Sequence, residues 1–361
     1  MRVLVINGPN LDLLGTREPE TYGTNTLADL EAMVGKWASG MGVEVISSQS
    51  NHEGEIIELI HEFDGGGIVL NPGAFTHTSH AIADAIRGVD TPVVETHISN
   101  LREREPWRAV SLMASACART IYGRGLAGYR DAMRHLVNRL AMPFDTVRYG
   151  PHPDNVADLR QGGGSVLVVL VHGGLWLHHF ERDTVESLAV DLTKRGFDTL
   201  NVEYRRLGVG GGWPGSPHDV LTSFDHIRYL DRDHDRVVAL SHSAGGQLST
   251  WAAERTVSGV ALHVAMSPLL DLGKAVADGD VGAAECQRLL DAGAPSKTLP
   301  ARVATVWAHA ADDQIVPVER SRELAEEAGI ELIVPEVDHF TLLDPTKPHW
   351  IDVLKLIEES K

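Results

Sequence analysis

The chain reads as two successive α/β units, each a parallel sheet with helices on both faces. Three observations predict this. Short apolar runs alternate with amphipathic stretches from the first residues onward, the alternation breaks once near Ala141–Gly164, and the polar segments fall directly after strand-like runs. Strands joined by helices run parallel and bury both sheet faces, and ligands collect beyond the carboxyl ends of such strands.

In the first half, strands are predicted at Val3–Asn7, Val43–Ser48, Gly67–Asn71 and Pro92–Thr96. Helices lie between them at Leu27–Ala38, Gly54–Glu62 and Thr78–Arg87, and a last helix spans Gly125–Leu140, with Leu126, Met133, Leu136, Val137 and Leu140 at helical spacing. Pro143, Pro151 and Pro153 then break the helix, and Gly162–Gly164 reads as a loose turn. This places a domain boundary, giving 1–142 and 143–361. The second half continues with strands at Val166–Val171, Thr199–Tyr204, Val237–Ser241, Val260–Ala265, Val303–His309 and Glu331–Pro335. Its helices are expected at Thr184–Arg195, His218–Leu230, Gly245–Arg255, Arg320–Ala328 and Ile351–Glu359. No internal repeat is visible.

Bulk properties narrow the function. A chain of 361 residues with 43% apolar content suffices for two independent cores. No apolar run reaches the length of about 18 residues that a membrane span requires. The start, MRVLVINGPN, is a strand and a turn rather than a signal peptide. Cys117 and Cys286 lie far apart, in keeping with a reducing cytoplasm and no disulfide framework. The formal net charge of −18 argues against nucleic acid and anionic membrane as partners. An anionic small-molecule substrate would need local arginines or backbone N–H groups.

The loop Asn7–Gly23 is long for its position, and Gly15 and Gly23 suit a hinged lid. Alone it reads as a surface loop with an ordinary tyrosine, Tyr22. Alone, His97 reads as a structural histidine at a strand end. The other strand-end segments are Asn71-Pro72-Gly73-Ala74-Phe75-Thr76-His77, Glu95-Thr96-His97-Ile98-Ser99-Asn100 and Arg104-Glu105-Pro106-Trp107-Arg108. With Ser50–Ile56, these motifs at these spacings resemble the type II 3-dehydroquinate dehydratases over roughly Met1–Leu140. The resemblance implies a flavodoxin-like sheet. An FMN domain of that class would want a Ser/Thr-rich phosphate loop after the first strand, which Gly8–Gly15 is not.

The resemblance also implies a chemistry, the anti dehydration of 3-dehydroquinate through an enolate. Tyr22 is the implied base, although a free phenol is roughly 3 pH units too weak an acid to ionise near neutrality. A guanidinium favours tyrosinate. Arg17 is the expected neighbour, with Arg108 a second. Asn10 would orient a water at the enolate oxygen, His97 would protonate the departing hydroxyl, and Glu95 would fix the imidazole. Asn71 and His77 would hold ring hydroxyls. The N–H groups of Ile98 and Ser99 would cradle the carboxylate, and Arg108 would bind ring oxygens. Asp84 would reach a neighbouring subunit's site, its alternative being an exposed helix carboxylate. The family forms trimers packed into dodecamers, which implies a homo-oligomer. No Schiff-base lysine and no cofactor is needed, Lys36 being the single lysine of the first 140 residues. Departures from the family pattern are Trp107 for Phe, His80 for an aliphatic residue, and Leu101-Arg102-Glu103 for Ile-His-Ala. The charges of Arg102 and Glu103 are expected near the site.

The second half carries Ser241-His242-Ser243-Ala244-Gly245-Gly246 between a strand and a helix, the context of a nucleophile elbow with Ser241 in place of glycine. His172-Gly173-Gly174-Leu175-Trp176 follows the first long strand. His309–Pro317 contains Asp312 and Asp313, and Asp338-His339-Phe340 follows the last strand. The order Ser, Asp, His resembles that of α/β-hydrolases of the esterase or arylformamidase type. It implies Ser243 as nucleophile, His339 as proton shuttle and Asp313 as its orienter, Asp312 being the weaker rival. The N–H groups of Gly174 and Ala244, with Leu175, would form an oxyanion hole. Trp176, Trp213 and Leu269–Ala301 would shape an acyl or alcohol pocket, or merely pack. The pair His178-His179 lacks companion ligands at usual spacing, so no metal is expected. Two alternatives stand beside this reading: a non-catalytic hydrolase-fold module that controls assembly, and a first unit that binds a cyclic acid without turning it over. The intact Tyr22, Arg17 and His97 speak against the second.

Overall fold

The first strand, β1 (Arg2–Asn7), is buried from Val3 onward, and its partners stack on both sides of it in register. In this computed structural model, which describes residues 1–359, the chain divides into two units, Met1–Ala141 and Met142–Lys361. Unit one continues with α1 (Pro19–Tyr22), α2 (Leu27–Gly40), β2 (Glu44–Gln49), α3 (Glu53–Glu62), β3 (Gly67–Asn71), α4 (His80–Arg87), β4 (Val93–His97), β5 (Arg119–Tyr122) and α5 (Ala127–Ala141). The sheet order is β2-β1-β3-β4-β5 and every pair is parallel. That is the flavodoxin-like order.

Local sequence explains the helix starts. Thr26 and Asp29 form a reciprocal capping box at α2, and the Ser79 hydroxyl accepts from Ile82 N at 2.8 Å to start α4 two residues later than predicted. Leu30, Val34 and Ala38 form the buried stripe of α2. Two separate cores cover the sheet, one under α2 and α5, the other under α3 and α4. The strand β5 is absent from the sequence reading. It is a four-residue edge strand led by an arginine.

Unit two comprises β6 (Asp145–Arg148), β7 (Val156–Arg160), β8 (Val166–Val171), α6 (Glu186–Lys194), β9 (Asp198–Val202), α7 (Gly215–His226), β10 (Arg236–His242), α8 (Ala244–Ala253), β11 (Leu262–Met266), α9 (Leu272–Asp278), α10 (Ala283–Asp291), β12 (Thr305–Ala308), α11 (Val318–Ala328), β13 (Glu331–Ile333) and α12 (His349–Glu359). Its sheet runs β13-β12-β11-β10-β8-β9-β7-β6. The β6–β7 and β7–β9 pairs are antiparallel and all others parallel. The segment read as a loose connection is therefore a hairpin belonging to this sheet. Its prolines mark the ends of two strands, and edge strands tolerate such punctuation.

Register brings the strand ends together. Asn7 lies opposite Gln49 and Asn71, and His97 opposite Tyr122. In unit two Ser241 lies opposite Val171, and His242 opposite Met266. Among the described residues, no helix is long and apolar enough to cross a membrane.

A buried phenol, Tyr129 of α5, ties strand ends to one another. It donates to Asn7 Oδ1 at 2.6 Å and accepts from Asn71 Nδ2 at 2.8 Å. Tyr129→Phe removes the donor to a buried amide oxygen and should cost about 1–3 kcal/mol. Denaturant unfolding followed at the first unit will show it, and an unchanged midpoint would contradict this account of the strand ends.

Candidate active sites

The loop after β1 and those after β3 and β4 enclose one cleft. It is lined by Asn10, Arg17, Tyr22, Asn71, His77, His97, Ile98, Ser99 and Arg108 among others. Asn10 has left-handed backbone (φ 66°), and its N–H donates to Asn51 Oδ1 at 2.8 Å. Tyr22 ends the single turn α1, which starts from Glu18, a non-glycine residue also in left-handed conformation (φ 42°).

Two guanidinium groups flank the Tyr22 ring. Arg17 Cζ lies 5.4 Å from its centroid and Arg104 Cζ 5.6 Å. The phenol oxygen itself is met by Arg104, whose Nη1 donates to it at 3.2 Å. This corrects the expectation that Arg108 would be the second neighbour. Arg108 donates to Glu105 at 2.8 Å and lies over the Trp107 ring. Both arginines sit in one charged turn, and their spacing alone does not say which one reaches the phenol. Burial would lower the Arg104 pKa, but the bond to Tyr22 and the charges of Tyr22, Glu105 and Glu18 raise it instead.

Behind the cleft, His97 Nε2 meets Glu95 Oε1 at 2.9 Å. Glu95 is fully buried and accepts from Thr76, from Ser111 at 2.9 Å and from Thr120 at 2.9 Å. Burial pushes its pKa up, yet the bonds from His97, Thr76 and Ser111 hold it below the usual carboxylate range. With Nε2 so engaged, Nδ1 is the ring nitrogen of His97 left without a hydrogen bond among the described residues. The hydroxyls of Thr76, Ser111 and Thr120 were not foreseen, because nothing in a single Ser or Thr marks it as a carboxylate partner.

His77 Nδ1 is fixed on Val110 O at 2.7 Å, and its ring packs edge-on against Trp107. Burial lowers its pKa. Asn71 reaches the cleft but also holds Tyr129 and receives Gly73 N. Asp84 lies outside the cleft, exposed on α4 in an ion pair with Arg87 at 2.8 Å. Arg102 is drawn to Tyr122 Oη at 3.0 Å, and neither it nor Glu103 lines the cleft.

The second site forms where β10 enters α8. Ser243 has φ 53° and ψ −123°, a conformation that costs an L-residue energy and lifts the side chain off the sheet. Its Oγ makes no hydrogen bond among the described residues. A side-chain carbon at Gly245 would lie 2.3 Å from His172 O, so this turn admits only glycine there. A carbon at Gly173 would lie 2.8 Å from Ser243 Cβ, which puts the loop of Gly173, Gly174 and Leu175 against the serine. Gly174 (φ 103°) and Leu175 (φ 52°) are both left-handed there. The buried Ser241 hydroxyl meets His263 Nε2 at 2.7 Å, which accounts for a serine in the usual glycine position.

His339 Nδ1 meets Asp313 Oδ2 at 2.6 Å. Asp313 Oδ1 accepts from Ile315 N at 2.9 Å and Val316 N at 2.8 Å. Asp312 is exposed and makes no such pair. The neighbour His242 packs its ring 4.5 Å from that of His339 and bonds the His339 carbonyl through Nε2 at 3.2 Å. His172 lies between Gly173 O at 2.8 Å and Glu203 Oε1 at 2.9 Å. Glu203, which sequence reasoning missed, is held deprotonated against its burial by Arg206 and His172. Trp176 is a fully buried core residue, and Trp213 packs edge-on against Trp251. Helices α9 and α10 occupy the Leu269–Ala301 segment. His178 and His179 pack edge-on, 5.5 Å between centroids.

Comparison with known proteins follows this division. Residues 1–137 match the family Dehydroquinase class II, and residues 158–261 match the family BD-FAE. The catabolic 3-dehydroquinase 1 of Neosartorya fischeri is 52% identical over 136 residues, spanning 37% of this chain and 91% of the relative. A 3-dehydroquinate dehydratase of Bacillus cereus is 52% identical over 141 residues, 38% of this chain and 97% of the relative. Esterase B from Lactobacillus rhamnosis aligns with a TM-score of 0.53 at 16% identity, covering 64% of this chain and 90% of that one. A carbohydrate esterase from gut microbiota aligns at 0.50 and 16% identity, over 60% of this chain and 94% of that one. These last two likenesses establish the α/β-hydrolase fold of the second unit.

Burial raises the Asp313 pKa, but the bond to His339 and the His339 charge bring it from 3.8 to about 2. A depressed carboxylate stabilises the folded state above its unfolded pKa. That contribution disappears as pH falls from about 3.8 through about 2. Asp313→Asn should therefore flatten the stability–pH curve of the second unit in that window, as read by acid unfolding; an unchanged slope would refute the pairing.

Proposed function

Since this chain belongs to the class II dehydroquinase family, we propose that its first unit dehydrates 3-dehydroquinate to 3-dehydroshikimate, with Tyr22 as base and His97 as acid. The observation that carries this reading is Arg104 Nη1 at 3.2 Å from the Tyr22 oxygen, with Arg17 beside the same ring. Two cations at a phenol favour its ionised form, and a tyrosinate is strong enough to take a proton from the carbon next to a ketone. The electrons pass to the carbonyl oxygen, where a water oriented by Asn10 donates to the enolate. The enolate then expels the β-hydroxyl as water. His97 delivers the proton through Nδ1, and the ionised Glu95 stabilises the imidazolium from the other side. His77, Asn71 and Arg108 bind the ring oxygens, and the N–H groups of Ile98 and Ser99 take the carboxylate. Asp84 completes a neighbouring subunit's site in a trimer-based oligomer.

The second unit acts as a serine hydrolase in this proposal. Ser243 attacks an acyl carbonyl, His339 moves the proton, Asp313 orients His339, and the N–H groups of Gly174, Leu175 and Ala244 receive the oxyanion. Strain at Ser243 and the 2.6 Å Asp313–His339 bond support it. An ester of quinate or shikimate is the proposed substrate, because its hydrolysis frees an acid of the kind the first unit handles.

Two measurements test the pair. Added 3-dehydroquinate should generate the ultraviolet absorbance of a conjugated enone, and Tyr22→Phe should slow it by about 10²–10⁴. A Tyr22→Phe variant running at the wild-type rate would end the assignment. Chlorogenate-type esters and p-nitrophenyl acyl esters should be cleaved by the full chain, and Ser243→Ala should abolish this while dehydration continues. No turnover of either ester would remove the hydrolase reading and favour a module that controls assembly.

A further inference from the structure

The two arginines beside Tyr22 share one carboxylate, Glu18. Glu18 starts the turn that carries Tyr22. Its carbonyl accepts from Thr21 N at 2.9 Å and from Tyr22 N at 3.0 Å. Its side chain reaches both arginines: Oε1 accepts from Arg17 Nε at 3.2 Å, and Oε2 from Arg104 Nη2 at 3.2 Å. Arg104 uses its other terminal nitrogen, Nη1, on the phenol. The result is a closed ring: Tyr22 N to Glu18 O, Glu18 carboxylate to Arg104, Arg104 back to Tyr22 Oη. Glu18 occupies left-handed backbone (φ 42°, ψ 62°), which side-chain-bearing residues adopt rarely and which persists where the surroundings enforce it.

We propose that Glu18 is a positioning residue for dehydration, which sets both where Arg17 and Arg104 stand and how strongly they act on Tyr22. The inference rests on the reading of Tyr22 as base. The groups around the phenol are Arg17, Glu18 and Arg104, with Glu105 behind Arg104 at 3.5 Å, and His77, His97 and Arg108 elsewhere in the cleft. A carboxylate shared between Arg17 and Arg104, with Glu105 also beside Arg104, offsets part of the positive field that the two guanidinium groups place at the phenol. It also crosslinks the loop after β1 to the turn after β4, which holds Arg104 Nη1 on the phenol oxygen.

The test is the pH dependence of 3-dehydroquinate turnover by the full chain, for wild type, Glu18→Gln, Glu18→Asp and Tyr22→Phe. The Glu18 side chain is 39% exposed, and an unchanged denaturant midpoint for each variant separates an effect on turnover from an effect on folding. Glu18→Gln keeps the shape and loses the charge. It should move the acidic limb of kcat/KM downward by about half to one pH unit, and lower kcat about tenfold through the looser guanidinium. Glu18→Asp keeps the charge and should leave the limb in place with a smaller loss of kcat. A Glu18→Gln limb that stays put or moves upward, whatever kcat does, overturns the proposal. Tyr22→Phe separates the two claims: if it retains turnover, the base assignment fails, and if it abolishes turnover while Glu18→Gln titrates like wild type, Glu18 alone fails.

Discussion

Both sites depend on a carboxylate that stays ionised while shut away from water, and on the imidazole it holds. Burial alone would neutralise Glu95 and Asp313. Each is kept charged by hydrogen bonds whose number and geometry outweigh desolvation, but the donors differ in kind. Glu95 collects side-chain hydroxyls from Thr76, Ser111 and Thr120 on three separate segments. Asp313 collects the backbone N–H groups of its own loop, Ile315 and Val316. The first arrangement ties the position of the His97 ring to the docking of several loops. The second draws its backbone donors from one loop, and adds the Ser267 side chain from beyond β11 and the His339 ring.

The parallel sheets are what make such pairs reachable. Each strand end delivers a loop to the same edge, so residues distant in sequence meet without long connections. Asn7, Gln49 and Asn71 stand in one row across β1, β2 and β3, and Tyr129 locks two of them together. In the second sheet the same edge carries His172 and Ser243, and close backbone approach at Gly245 forces the elbow. The strain at Ser243 is stored by this packing rather than by the serine's own preference.

The long buried strands and amphipathic helices were legible because their period is written directly in side-chain polarity. The edges were not. Arg119-Thr120-Ile121-Tyr122 is four residues long and begins with a charge, so its pairing with β4 comes from the sheet and not from its own pattern. The hairpin β6–β7 is hidden among prolines that look like a linker. In the sites, the residues that the fold gathers into each cleft were legible from motif spacing, whereas their partners were not. Arg104 and Arg108 carry the same chemistry four residues apart, and only the fold of the turn sends one to Tyr22 and the other to Glu105. Glu203 sits one residue past its strand, and nothing in the sequence marks it as the acid that pins His172.

A further constraint links composition to mechanism. The chain carries a net charge of −18, yet the reaction proposed for its first site involves an anionic substrate and a phenolate. At physiological ionic strength, exposed charges more than about 8 Å away are largely screened. The local set around the phenol is therefore what counts: Arg17 and Arg104 at the ring, Arg108 in the cleft lining, Glu18 between the first two, and Glu105 between Arg104 and Arg108. A cluster of bare cations would hold the substrate and the phenolate too firmly to be useful, because a base must give up its preference for charge at the moment it takes the proton. Placing an acid inside the cationic cluster resolves this. In the proposed reaction it leaves positive charge beside Tyr22 to meet a substrate carboxylate, while Glu18 holds both guanidinium groups in place around the ring.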